Sequence, residues 1–145
     1  MTSNDPFDLQ RFVDAQAGDY ATALSELQRG RKRSHWIWYV LPQLRGLGLS
    51  AHSHRYGIAS LAEARAYLAH PILGARLNEC VEAIARHKGT DIAAILGSLD
   101  AMKYQSCLTL FQAAAGANSP FEQALQDFFG GREDARTVSM LNSAP

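Results

Sequence analysis

The sequence predicts an all-α fold: one compact bundle of about six to eight short-to-medium helices over residues 1–145, with a long loop after a tryptophan-rich segment. Three observations carry this. No stretch alternates polar and apolar residues with a period of two, and neither Asn-Gly nor Asp-Gly marks a hairpin. Apolar residues instead recur at three- and four-residue spacing. Glycine and proline punctuate these runs at intervals that suit short helices joined by tight connections.

Asn4, Asp5 and Pro6 open a first helix, Pro being tolerated in a first turn, and Phe7, Leu9, Phe12 and Val13 form its core stripe. Gly18 interrupts it. Asp19 is placed to cap a second helix, Tyr20 to Arg29, buried through Ala23, Leu24 and Leu27 and closed by Gly30. Ser34 is placed to cap a short helix from Trp36 to Leu41, stopped by Pro42. Gln43 to Tyr56 carries Gly46 and Gly48 and lacks a helical period, so it reads as a functional loop over one face of the bundle. Ser60 and Glu63 form a capping box ahead of a helix from Leu61 to Leu68. His70-Pro71 restarts the chain, and Ile72, Leu73, Leu77, Cys80, Val81 and Ile84 make a strong stripe ending at Gly89. Thr90 or Asp91 caps a short helix to Leu96, and a longer one follows from Leu99 to Ala115. Ser119, Pro120 and Glu122 start the next, which ends at Gly130-Gly131; a last turn is expected between Asp134 and Met140.

Charge narrows the function classes. Fourteen Lys and Arg balance fourteen Asp and Glu, so no net field draws the chain to nucleic acid or a membrane. Cys80 and Cys107 lie in apolar helical pattern without CxxC spacing, which reads as two reduced, buried thiols. The first thirty residues contain Asp5, Asp8, Asp14, Asp19 and Glu26 and no apolar run. A secretory leader and a membrane span are therefore not expected, and the cytoplasm is the expected compartment.

Against this balanced background one segment stands out. Arg29, Arg31, Lys32 and Arg33 run directly into His35, Trp36, Trp38 and Tyr39, and both tryptophans of the chain lie here. Arginine and lysine bind phosphate, and a flat aromatic face stacks a nucleobase for about 1–3 kcal/mol. The competing reading makes Trp36 and Tyr39 core anchors at i, i+3, with Trp38 on the opposite side as the better platform. Gln43 and Tyr56, at the ends of the loop, complete the expected binding surface. Farther on, Asp100, Lys103 and Cys107 share one helical face. Asp100 and Lys103 form either a solvated i, i+3 pair or a carboxylate and an ammonium in a cleft, with His35 nearby as a third catalytic candidate. His52 and His54 would need a third ligand to hold a metal, and none is close in sequence. His70 reads as a capping or surface residue, and His87 as one interacting with a helix C-terminus. No P-loop, GxGxxG or GxSxG is present. No metal and no cofactor are expected.

Several strings carry a family likeness: SHWIWYVLPQLRGLG from Ser34 to Gly48, the stretch from Ser50 to Ile58, YLAHPILGARL from Tyr67 to Leu77, and DAMKYQSCLTLF from Asp100 to Phe111. By these the chain resembles the DUF1810 family of small bacterial proteins. The resemblance implies a compact all-helical fold and brings no activity with it.

Two functional readings follow. In the first, Arg31, Lys32 and Arg33 hold a small phosphate-bearing ligand, nucleotide or ADP-ribose-like, Trp36 or Trp38 stacks its base, and Asp100 with Lys103 closes the cleft; hydrolysis or N-glycosidic cleavage would use Asp100. In the second, the Trp/Tyr/Arg loop docks a protein partner or a second copy of the chain, without catalysis. Nucleic acid is not the expected partner of a neutral chain, and the oligomeric state is left open.

Overall fold

The computed structural model describes residues 5–48 and 50–143, so the start assigned to Asn4 lies outside the described residues. Ten α-helices occur among them: α1 Gln10–Gln16, α2 Tyr20–Arg29, α3 Ile37–Val40, α4 Ala51–Tyr56, α5 Leu61–Ala69, α6 Leu73–Ala85, α7 Ile92–Leu96, α8 Ser98–Ala115, α9 Pro120–Phe129 and α10 Ala135–Ser143. No strand occurs among the described residues; one isolated parallel bridge joins Leu44 to Ile58.

The bundle is built around α8, the longest helix, which packs against α5, α7, α9 and α10. Its residues from Tyr104 to Phe111 are buried almost without interruption. A helix apolar all round has no solvent face, which is why it sits in the middle. Two hydroxyls on it are satisfied locally: Ser106 Oγ donates to Met102 O at 3.2 Å and Thr109 Oγ1 to Gln105 O at 2.7 Å. Around it, α6 lies against α2, α5 and α9, while α1 packs on α3 and α3 on α4. A single apolar core runs from Phe12 and Leu27 through Trp36, Tyr67 and Ile84 to Phe111 and Phe121.

The caps read from sequence largely form. Ser60 Oγ accepts from Glu63 N, Asp91 Oδ1 from Ala93 N, and Ser119 Oγ from Glu122 N. Gly30 closes α2 at φ 77°, a conformation open to glycine; a Cβ there would stand 2.9 Å from the His87 ring. His87 Nε2 lies 3.0 Å from the carbonyls of both Leu27 and Gln28. It thus serves the C-terminus of a neighbouring helix rather than its own. His70 Nδ1 accepts from the amides of Ile72 and Leu73, which makes it a cap.

Five local expectations are corrected. The first helix starts at Gln10, because Asp5 Oδ1 and Oδ2 accept from Leu9 N and Gln10 N and cap it four residues late. Asp19 makes no cap bond; its carboxylate accepts instead from the Tyr39 hydroxyl. Ser34 does not cap α3, since its amide and hydroxyl are bound to Glu26. The long loop is shorter than expected: Ser50 Oγ accepts from Ser53 N and starts α4 within it. Ile72, read as core, is 42% exposed because the helix begins one residue beyond it.

Candidate functional site

The 31–36 segment is held from below by one carboxylate. Glu26 lies on the same face of α2 as Ala23 and Leu27 and is 6% exposed. Its oxygens accept from Arg33 N at 2.8 Å, Ser34 N at 3.0 Å, Ser34 Oγ at 2.6 Å and Trp36 Nε1 at 2.9 Å. Burial by itself raises the acid's pKa, but these four donors outweigh it and hold Glu26 down at about 2. Trp36 is thereby a core anchor, 1% exposed.

Lys32 turns inward too. Its Nζ lies 2.7 Å from Asp100 Oδ2, donates to Ser34 O and stands 4.9 Å from the centre of the Trp36 ring. Lys103 Nζ takes the other oxygen of Asp100 at 3.1 Å and covers the ring of Trp38 at 4.2 Å. One carboxylate thus joins two ammonium groups, each seated on a different tryptophan. Burial opposes ionisation of Asp100, but hydrogen bonds and charge from Lys32 and Lys103 prevail and lower its pKa. An acid held ionised by two cations is a weaker proton acceptor than a free carboxylate.

Beyond Lys103 opens a cleft of about 250 Å³. Trp38, Gln43, Leu47 and Gly48 form one wall, Leu99, Met102, Lys103 and Ser106 of α8 the other, and Asp134 and Arg136 close the end. The wall from 43 to 48 is placed by Gln43 O and Arg45 N, which pair with Ile58 N and Ile58 O at 2.9 and 2.8 Å. That pairing needs Gly57, where a Cβ would meet Arg45 Cα at 2.6 Å. Leu99 and Met102 are 73% and 65% exposed and give the cleft an apolar rim. Arg136 donates to Leu47 O at 3.3 Å, and Asp134 Oδ2 is occupied by the amide and hydroxyl of Thr137.

Of the residues singled out in the sequence, Trp38, Gln43 and Lys103 meet in this cleft, with Asp100 and Lys32 directly behind. Arg31, Arg33 and His35 are exposed and do not line it, and Trp36 is turned to the core. Tyr56 packs elsewhere, 5.2 Å from Tyr39 and 6.0 Å from Phe12 between ring centres. Arg33 therefore does not join Trp38 in one pocket, nor does His35 join Lys103. His52 and His54 lie on helical rather than extended backbone, so their i, i+2 spacing sends the two rings apart; His52 stacks on Tyr56. Cys107 is fully buried, and burial pushes its thiol well up, away from nucleophilic use. Sequence reasoning missed Glu26, Leu47 and Arg136. The signal for Glu26 was available: a carboxylate at i+3 from Ala23 and beside Leu27 shares their buried stripe. Leu47 and Arg136 carry no such local mark.

These observations define an all-helical domain with a small, mostly apolar cleft, rimmed by cations, against its central helix. The model of the DUF1810 family, described as proteins of unknown function, matches residues 6–141, and the chain belongs to that family. It is similar to the conserved hypothetical protein Rv1873 from Mycobacterium tuberculosis, whose crystal structure superposes with a TM-score of 0.94 at 51% identity, covering 97% of this chain and 100% of that one. No curated protein matches the sequence. No helix among the described residues is long and apolar enough to cross a membrane.

Proposed function

We propose that this domain binds a small phosphate-bearing ligand, mononucleotide-like in size, in the cleft between Trp38 and α8. The observation that carries the reading is the convergence of an aromatic face, Trp38, with two cations, Lys103 and Arg136, and the polar side chains Gln43 and Ser106. A cleft of about 250 Å³ falls below the roughly 300–1,000 Å³ that encloses a drug-sized ligand. It therefore suits one base or one sugar phosphate, and an ADP-ribose-like molecule would extend past the Leu99–Met102 rim. Arg31 and Arg33 stand outside as steering charges rather than ligands. The proposal concerns binding alone.

The test is a titration of the full chain with nucleoside monophosphates and sugar phosphates, followed by tryptophan fluorescence and thermal shift. A ligand at 100 times its Kd adds about 2.7 kcal/mol to stability. Lys103→Met and Arg136→Met are each expected to weaken binding at least tenfold, and Trp38→Phe to abolish the fluorescence response. Binding untouched by either cation variant would refute the site.

A second reading has its own support. Leu99 and Met102, exposed beside Trp38, add an apolar patch to that aromatic ring. If the patch docks a second copy, the mass measured by sedimentation rises with concentration and Met102→Glu returns it to monomer. A mass that stays monomeric across a hundredfold range excludes the dimer.

A further inference from the structure

On the far side of the 43–48 segment, the chain builds a second concave surface of different character. Phe7, Asp8, Arg11, Arg45, His54 and Arg55 line a pocket of about 320 Å³. Arg11 is its floor and is fully used. Nε donates to Arg55 O, Nη1 to Phe7 O and Asp8 O, and Nη2 to Gly57 O and to Glu63 Oε2 at 2.7 Å. Those five bonds consume all five guanidinium donors, and Glu63 neutralises the charge. Glu63 in turn gives its other oxygen to Ala59 N. The floor is a rigid, neutral unit that ties α1, α4 and α5 together.

The walls are different. Neither Arg45 nor Arg55 is in an ion pair among the described residues, although Asp8 lines the same pocket. Arg45 Nε is buried without a hydrogen-bond partner among the described residues. A buried guanidinium donor without an acceptor is uncommon and costly; Nε itself is closed off, so a ligand in the pocket meets Arg45 through the rest of its guanidinium. Arg45 is fixed in place by its own backbone, paired with Ile58 and packed against Gly57. Arg55 leans over the ring of Tyr56 at 5.5 Å, and His54 precedes it on α4.

We infer that Arg45, Arg55 and His54 form a second binding site, for the phosphate group of a small molecule. Two arginine forks on separate segments, with one imidazole beside them, match the several oxygens and double charge of a phosphate monoester better than a single carboxylate. The single acid of the lining, Asp8, opposes any anion there, and two arginines stand against it. Phe7 supplies an apolar wall for whatever carries the phosphate. The site shares no residue with the Trp38 cleft, and it stands or falls independently of that reading.

Calorimetric titration of the full chain at low salt, with inorganic phosphate and methyl phosphate as probes and acetate as control, tests it. Phosphate is expected to bind and acetate to bind at least tenfold more weakly. Arg45→Met and Arg55→Met should each reduce phosphate affinity at least tenfold, while Lys103→Met leaves it within twofold. Arg55 is exposed, so Arg55→Met keeps the test valid should Arg45→Met fail to fold. No phosphate binding by the wild type, equal binding of acetate, or phosphate binding unchanged in Arg55→Met overturns the assignment. Loss in Lys103→Met alone transfers the phosphate to the Trp38 cleft and also overturns it.

Discussion

Two cationic segments of this protein differ in where their charge goes. Residues 31–36 hold the densest run of cations in the chain, and the fold divides them: Lys32 is paired with Asp100, and the backbone and Trp36 are pinned to Glu26, while Arg31 and Arg33 stay exposed. Residues 45–55 carry only Arg45 and Arg55 together with two histidines, and both arginines remain outside ion pairs among the described residues. The difference teaches that cation density along a sequence is not free cationic charge in space. A cation that shares a carboxylate and still lines a cleft, as Lys103 does, remains within reach of a ligand, whereas Lys32, paired with the same Asp100, lies behind the cleft.

The largest effect that would break this comparison lies at Glu26. Glu26→Ala leaves the indole N–H of Trp36 buried without its acceptor and releases the 33–34 backbone, so it should cost about 3 kcal/mol in urea unfolding. The same acid sets a pH signature. Its folded pKa of about 2 lies below the ordinary 4.5, so its contribution is complete above pH 4.5 and is lost as pH falls from there toward 2. Asp100, also lowered, contributes with the same sign. Stability that holds level between pH 5 and 3 would show that Glu26 carries no such load.

A middle-sized effect separates neighbours within the run. Lys32→Met removes one of the two partners of Asp100 and the contact over Trp36, and should cost about 2 kcal/mol, since a half-buried carboxylate loses a cation. Arg31→Ala and Arg33→Ala, both at exposed residues, should stay within about 0.5 kcal/mol. Equal losses at all three positions, read by thermal melting, would erase the distinction between inward and outward cations.

The smallest effect sharpens the other side. Arg45→Met removes a guanidinium whose Nε has no partner among the described residues, so folding stability should change by no more than about 0.5 kcal/mol or rise slightly. A loss above 2 kcal/mol would mean that Arg45 is structural.

Most of the fold was legible because its signals are local. Ser60, Asp91 and Ser119 cap the helices they precede, and Gly30 ends the helix before it, since each acts on backbone within a few residues. Two of the departures, at Asp19 and Ser34, arose where a more distant partner competed for the same atoms. Ser34 has the chemistry of a cap, but Glu26, eight residues away, holds both its amide and its hydroxyl. The 43–56 stretch looked uniformly irregular because α4, only six residues long, has few apolar side chains to reveal a period. At the site, helical geometry alone separated Trp38 from Trp36 and brought Asp100 and Lys103 to one face. It could not say that Lys32 would occupy Asp100.

The sequence by itself therefore determined the helical class, most helix limits, the buried thiols and the likeness to DUF1810, all of which depend on neighbours in the chain. Only the tertiary structure decided which tryptophan is core and which lines a cleft, that Arg136 lines the same cleft as Lys103, and that Arg45 and Arg55 stay outside ion pairs among the described residues while Lys32 is consumed. The reason is physical. Helix propensity and capping are set within one turn of backbone, whereas the partner of a charge is set by which distant segment the core brings within about 4 Å of it.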